Sequence, residues 1–258
     1  MATAFSAEGG RLILWDINEA GVEALRAELG NAVAYVCDLS NRDEVYTVAQ
    51  RVLREEGPID LLINNAGIVS GRPLLEISDE AIERTFAVNT LALFWTARAF
   101  LPAMIQQGHG HIVTIASAGG LVGTPRLTDY CASKSAAIAF DESLRLEMKR
   151  LGYPIDTTVV CPFYIGTEMF NGVQTRFSWL LPILKPAYVV RRILSAIRKK
   201  RRRLIMPRFV YVVYPTRLLP ASAFDALIGF FGINRSMDAF EGSPGKSEHP
   251  NDVVVSRP

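Results

Sequence analysis

Ile59-Asp60-Leu61-Leu62-Ile63-Asn64-Asn65-Ala66-Gly67 is a short apolar run that breaks abruptly into two asparagines, a small residue and a glycine. Such a run suits a strand buried on both faces. Arg11–Asp16 (RLILWD), Ala32–Asp38 (AVAYVCD), His111–Ser117 (HIVTIAS) and Asp156–Cys161 (DTTVVC) have the same character. Helical segments lie between them. Asn18 caps one that stops at Gly30. Asn41 and Glu44 have capping-box spacing and open a second, to about Glu55. Ser78 caps a long third, to about Gln107, with an apolar face. A fourth contains Tyr130 and runs to about Leu151, and Ala187–Lys199 with a short strand Leu204–Met206 closes the series. Alternating strands and helices predict crossover units: an α/β, doubly wound (Rossmann-like) parallel sheet with helices on both faces. Asn64–Gly67 then falls at the carboxyl edge of the sheet, where such folds bind ligands.

Further along stands Tyr130-Cys131-Ala132-Ser133-Lys134. Residues four apart share a helix face, so the Tyr130 phenol and Lys134 ammonium can point the same way. A nearby cation favours the ionised phenol, and a phenol tuned toward neutrality can act as a general acid or base. With eight tyrosines in the chain the pair is weak alone, and the bland reading is a solvated lysine one turn below a partly buried tyrosine. Ser117 ends a strand 13 residues before Tyr130. Asn89 lies in mid-helix, where a polar side chain facing a core needs a partner.

Together, the NNAG run, the strand-end serine and the YxxxK spacing resemble the short-chain dehydrogenase/reductase family, from about residue 11 to 207. The resemblance implies a nicotinamide-dependent oxidoreductase. Tyr130 would exchange a proton with the substrate oxygen, and Lys134 would depress its pKa and bind the nicotinamide ribose. Ser117 would hydrogen-bond the reacting group, and Asn89 would hold a relay water. Asn64, Ala66 and Gly67 would line the cofactor, with Ile165 and Thr167 beside the nicotinamide amide. The family's Pro-Gly is Pro162-Phe163 here. Asp16, ending the first visible strand, would take the adenosine ribose hydroxyl and repel a 2′-phosphate, favouring NAD over NADP. Asp38 resembles the residue that meets the adenine. Both aspartates could instead cap turns. WDIN, NNAGIVSG, FLPAMI, HGHIV, DYCASK and LPILKP resemble the membrane-associated retinol and hydroxysteroid dehydrogenase branch, which implies a lipophilic alcohol, ketone or aldehyde substrate. The aromatic segment Phe163–Pro186 fits a lid over it, and the long Ser78 and Tyr130 helices resemble the family's homodimer pair.

The family's opening strand and TGxxxGxG turn, which cradles a pyrophosphate, have no counterpart here, and Met1–Gly10 resembles only the end of the helix after that turn. That strand would be central, between Arg11–Asp16 and Ile59–Asn64. Without it two sheet edges must close on each other or stay open. A start placed downstream of the true one and a shortened product both account for this; the intact later motifs favour the first. Weak dinucleotide binding is expected of the chain as given. The alternative function is a catalytically silent module on a membrane surface or a partner.

Residues 1–207 thus read as the dehydrogenase domain, 208–240 as an apolar helical extension and 241–258 as a disordered tail. Cys37, Cys131 and Cys161 are far apart and read as buried thiols. The three histidines have no ligand spacing, so no metal is expected. Met169–Phe224 holds no acidic residue but twelve of the 28 Lys and Arg, in a chain of net charge only +2. Arg198–Arg203 (RKKRRR) followed by apolar Phe209–Leu219 and Phe224–Phe231 suits an anionic membrane surface, contacted through 198–231. With no nucleic-acid motif in the chain, nucleic acid is not expected as a partner. With no signal peptide or 18-residue apolar run, a cytoplasmic protein in peripheral contact with a membrane is expected.

Overall fold

The computed structural model describes residues 1–241 and the backbone of 253–257. A short helix α1 (Ala2–Ser6) leads into β1 (Arg11–Asp16), α2 (Glu19–Leu29), β2 (Ala32–Val36), α3 (Arg42–Glu55) and β3 (Leu61–Asn64). Then come α4 (Asp79–Phe86), a π-helical turn (Ala87–Leu91), α5 (Ala92–Gln107), β4 (Gly110–Ile115), α6 (Thr128–Leu151) and β5 (Ile155–Pro162). The chain continues through α7 (Pro186–Arg198), β6 (Arg203–Met206), α8 (Val213–Thr216), α9 (Ala221–Phe230) and β7 (Val253–Arg257). The sheet order is β2-β1-β7-β3-β4-β5-β6.

The expected N-caps are made, although the Glu44 carboxylate of the Asn41 capping box accepts from Asp38 N, not from Asn41 N. Asn18, Asn41 and Ser78 each accept backbone N–H bonds at the starts of α2, α3 and α4. Strands β1, β3, β4, β5 and β6 are buried on both faces, and alternation along β1 sorts its side chains between them. Ile13 and Trp15 join the core under α3, α5 and α6. Leu12 and Leu14 pack with Ala2, Phe5, Val22 and Val189, on the side of α1, α2 and α7.

Two expectations are corrected. The sheet is parallel except at β7, which pairs antiparallel with both β1 and β3. The two open edges foreseen there neither meet nor stay unpaired, because β7 fills the gap. Residues 241–258, expected as a disordered tail, include this strand, since Val253–Arg257 supplies the ladder partners that both edges require. The rest of that expectation, 242–252 and Pro258, lies outside the described residues.

The long helix from Ser78 is continuous in path but interrupted by the π turn. Asp79–Gln107 is long and apolar enough to cross a membrane, yet half of its most apolar window is buried inside this fold. The stretch 208–240 packs on the same core, with Phe209, Val213, Phe231 and Ile233 against the cluster under α5 and α6.

Candidate active site

Parallel pairing of β2 with β1, and of β3 to β6 with one another, puts the strands' carboxyl ends on one edge of the sheet. Asp16, Asp38, Asn64, Ser117 and Ile165 all lie at or just after such ends. Asn64 is buried at the end of β3; its Oδ1 accepts from Thr96 Oγ1 on α5 at 2.9 Å. Its Nδ2 is buried with no hydrogen-bond partner among the described residues. Ala66 packs into the main core. At Gly67 a Cβ would stand 3.1 Å from Lys134 Nζ and 3.4 Å from Asn89 Oδ1, so the missing side chain leaves room at the lysine head.

Asn89 sits on the π turn, fully buried. Its Oδ1 accepts from Ile68 N at 2.8 Å. Its Nδ2 donates to Ile68 O at 2.9 Å and to Ser133 Oγ at 3.0 Å. The side chain thus ties the loop after β3 to α6, and both its N–H groups are engaged within the protein.

Two residues past β4, Ser117 Oγ accepts from Gly119 N at 3.0 Å and caps a 3₁₀ turn. Ser117 also hydrogen-bonds the Tyr130 phenol. Burial raises the Tyr130 pKa above its ordinary value, and the Ser117 bond acts the other way. Lys134 Nζ donates to Ile115 O at 2.9 Å and lies 5.9 Å from the Tyr130 ring centroid. Burial pulls Lys134 down to about 8. The sequence-based expectation of a depressed phenol is not met in this structure. Desolvation of the phenol is the largest influence, and the ammonium bonds a main-chain carbonyl.

After β5, Ile165 bridges to Leu184, and Thr167 N donates to Ile165 O at 2.8 Å. Phe163, Tyr164, Phe170 and Tyr130 form a chain of edge-to-face rings with successive centroids 4.7, 5.2 and 5.8 Å apart. Asp16 Oδ1 accepts from Asn18 N at 2.8 Å. Asp38 Oδ1 accepts from Ser40 N and Oγ at 2.8 and 2.7 Å. Each therefore has the local capping role weighed above.

One cavity of about 1100 Å³ brings together Gly67, Ser117, Tyr130, Lys134, Ile165 and Thr167. Asp16, Asp38, Asn64, Ala66 and Asn89 are not on its wall. Sequence reasoning missed that Phe209, Val213, Ile228, Phe231 and Phe240 also line this cavity, with Phe240 packed against the cluster that holds Tyr130. The signal was present, since a stretch so rich in apolar and aromatic residues must cover something. The unsatisfied Asn64 amide, and Gly67, whose missing side chain lets the Lys134 head lie against the main chain, fit a nicotinamide cofactor along this edge.

The short chain dehydrogenase family profile matches residues 1–176. Epidermal retinol dehydrogenase 2 of Mus musculus is 44% identical over 254 residues, covering 96% of this chain and 82% of that protein. Short-chain dehydrogenase/reductase family 16C member 6 of Bos taurus is 44% identical over 247 residues, 93% of this chain and 78% of the relative. Among solved structures, a short-chain dehydrogenase from Sphingobium yanoikuyae in complex with NADPH superposes with TM-score 0.71 at 28% identity, over 89% of this chain and 86% of that one. The chain belongs to the short-chain dehydrogenase family and is an NAD(P)-dependent oxidoreductase acting on CH–OH groups.

Proposed function

We propose that the substrate is a retinoid-like lipophilic alcohol, or its carbonyl counterpart, and that Tyr130 is the acid–base group. The observation that carries this is one cavity lined both by Ser117, Tyr130 and Lys134 and by the apolar side chains of Phe209, Val213, Ile228 and Phe231. Retinol dehydrogenases among the relatives support the substrate class. A bound nicotinamide supplies the hydride acceptor for oxidation and the donor for reduction. Ser117 hydrogen-bonds the substrate oxygen; Tyr130 as phenolate takes its proton on oxidation, and as phenol returns it on reduction. Lys134 would hold the nicotinamide ribose and, as a cation near the Tyr130 ring, would favour the phenolate that accepts the proton. Asn89 holds the loop at Ile68, and with it the cofactor wall at Gly67; its remaining Oδ1 lone pair is the place for a relay water. Asn64, Ala66 and Gly67 would line the cofactor, with Ile165 and Thr167 beside the nicotinamide amide. Asp16 and Asp38 lie toward the adenosine, where the Asp16 charge favours NAD over NADP.

Arg198–Arg203 and the exposed Trp179, Tyr211, Leu218 and Phe230 support peripheral contact with an anionic cytoplasmic membrane face, from which a lipophilic substrate can enter. Exposed Leu91, Phe94 and Leu146 on the α5–α6 side support a homodimer through those helices.

Turnover of retinol with NAD tests the reading. Tyr130→Phe is expected to lower kcat at least about 100-fold, and a variant that keeps most activity would refute the role of Tyr130. A second reading, a catalytically silent surface module, is favoured by β7. Running antiparallel, it brings its amino end to the ligand edge and cannot feed a pyrophosphate-binding turn there as a parallel strand does. Calorimetry of the whole chain with NAD and NADP separates the two, because the silent module binds neither.

A further inference from the structure

Helix α6 begins without a side-chain cap at Leu127. An acidic residue in the first helical turn ordinarily faces solvent or the helix's own N–H groups. Asp129 does neither. It is 3% exposed, and its two oxygens accept hydroxyl protons from two other elements. Oδ1 takes the bond from Ser70 Oγ at 2.9 Å, in the loop after β3. Oδ2 takes the bond from Thr85 Oγ1 at 3.0 Å, on α4. One turn on, Ser133 is also buried, accepting from Asn89 Nδ2 and donating to the Tyr130 carbonyl at 2.8 Å. Thr90 Oγ1 donates to the Ser133 carbonyl at 3.1 Å. Asp129 and Ser133 form one i, i+4 stripe of α6, and Tyr130 and Lys134 form the adjacent stripe, which lines the cavity. The first stripe is bonded throughout to α4, the π turn and the loop after β3. It fixes both the height and the rotation of the second.

We propose that Asp129 is a positioning residue of this reaction, registering the Tyr130 turn against α4 and the loop after β3 through Thr85 and Ser70. The proposal rests on the assignment of Tyr130 as the acid–base group. Both Ser70 and Thr85 also line the cavity, so one carboxylate couples the wall that receives ligand to the residue that moves the proton. Small displacements of a reacting group are costly: about 100-fold in rate for 1 Å.

The test uses the whole chain and two readouts. Asp129→Leu is expected to lower kcat about 10- to 100-fold while KM for alcohol and cofactor stays within about twofold. Asp129→Asn, which keeps one acceptor, falls between. The Ser70→Ala/Thr85→Val pair reproduces the Asp129→Leu loss, and combining all three adds nothing further, as expected of one coupled unit. Independently of turnover, the titration of Tyr130 followed by ¹³Cζ NMR is expected to shift in Asp129→Leu while the Tyr35 titration does not. An unchanged Tyr130 titration and unchanged kcat, with only a lower Tm, would overturn the proposal and leave Asp129 as a packing residue. No turnover by the wild-type chain would count against the proposed function instead, and the Tyr130 titration would still decide this point. If Asp129→Leu does not fold, the hydroxyl-deletion pair decides it on the same readouts.

Discussion

Two buried titratable groups beside β4 and β5 act in opposite senses. His111 is held at about 4, below its ordinary 6.5, chiefly by burial, with Asp156 pulling up and Lys200 pulling down. The unfolded chain therefore binds the extra proton between about pH 6.5 and 4, and the stability His111 contributes is full above that window and lost as pH falls through it. Asp141 is raised to about 7, again chiefly by burial, opposed by the Thr157 hydrogen bond and by Arg145 and Arg203. Its contribution is full at low pH and lost as pH rises from about 4 through 7. Over the shared window the two nearly cancel, and stability is expected to be flat. Asp141→Asn removes one arm. Its Tm is expected to fall more steeply than wild type between pH 6.5 and 4, by a difference on the order of 3 kcal/mol in stability. Identical pH profiles for the two proteins would show that these groups do not set the balance. At this scale the sequence was informative about identity and poor about energetics. The spacing of Ser117, Tyr130 and Lys134 put them in one cavity. The direction of the Tyr130 shift depends on how completely the phenol is desolvated, and no local spacing encodes that.

At the scale of elements, the caps were legible because capping is local chemistry: Asn18, Asn41 and Ser78 each bond a backbone N–H two or three residues on. The π turn was not legible. It is set by the tertiary bonds of Asn89 and Thr90 to Ile68 and Ser133, and π-helical widening is often found at functional positions. The turn after β4 is equally demanding. A Cβ on Gly120 would lie 2.6 Å from the Lys134 main-chain oxygen, so this glycine allows the turn to rest on α6 beneath the lysine. Gly120→Ala is expected to cost about 1–3 kcal/mol and to lower activity together with stability, because the backbone that carries Lys134 must move. Urea unfolding that leaves the midpoint unchanged would contradict this packing account.

For the whole molecule, the charge asymmetry and the cavity belong together. The basic run at Arg198–Arg203 and the helices that follow contribute both the exposed apolar side chains and the inner wall of Phe209, Val213 and Phe231. Lys199→Glu/Arg201→Glu/Arg202→Glu leaves the Arg203–Glu142 pair in place. It is expected to weaken sedimentation with anionic liposomes by several kcal/mol, at roughly 1 kcal/mol per cation, while neutral liposomes are unaffected. Wild-type protein that stays in the supernatant at moderate salt would end the membrane reading. The parallel part of the sheet was readable from alternation, whereas β7 was not. Its sequence is short and lies after a polar stretch, and only the vacant ladder between β1 and β3 gives it a partner.

That central strand also bears on how the molecule is made. Among the described strands β7 comes last in the chain, so of these strands it is the last to leave the ribosome. Until then β1 with β2 and β3 with its neighbours exist as two half-sheets, each with a bare edge facing the other. Bare edges recruit strands from other chains, and closure over so large a sequence separation is slow. The nascent protein therefore passes through a window in which protection by chaperones, rather than the stability of the finished fold, governs its yield.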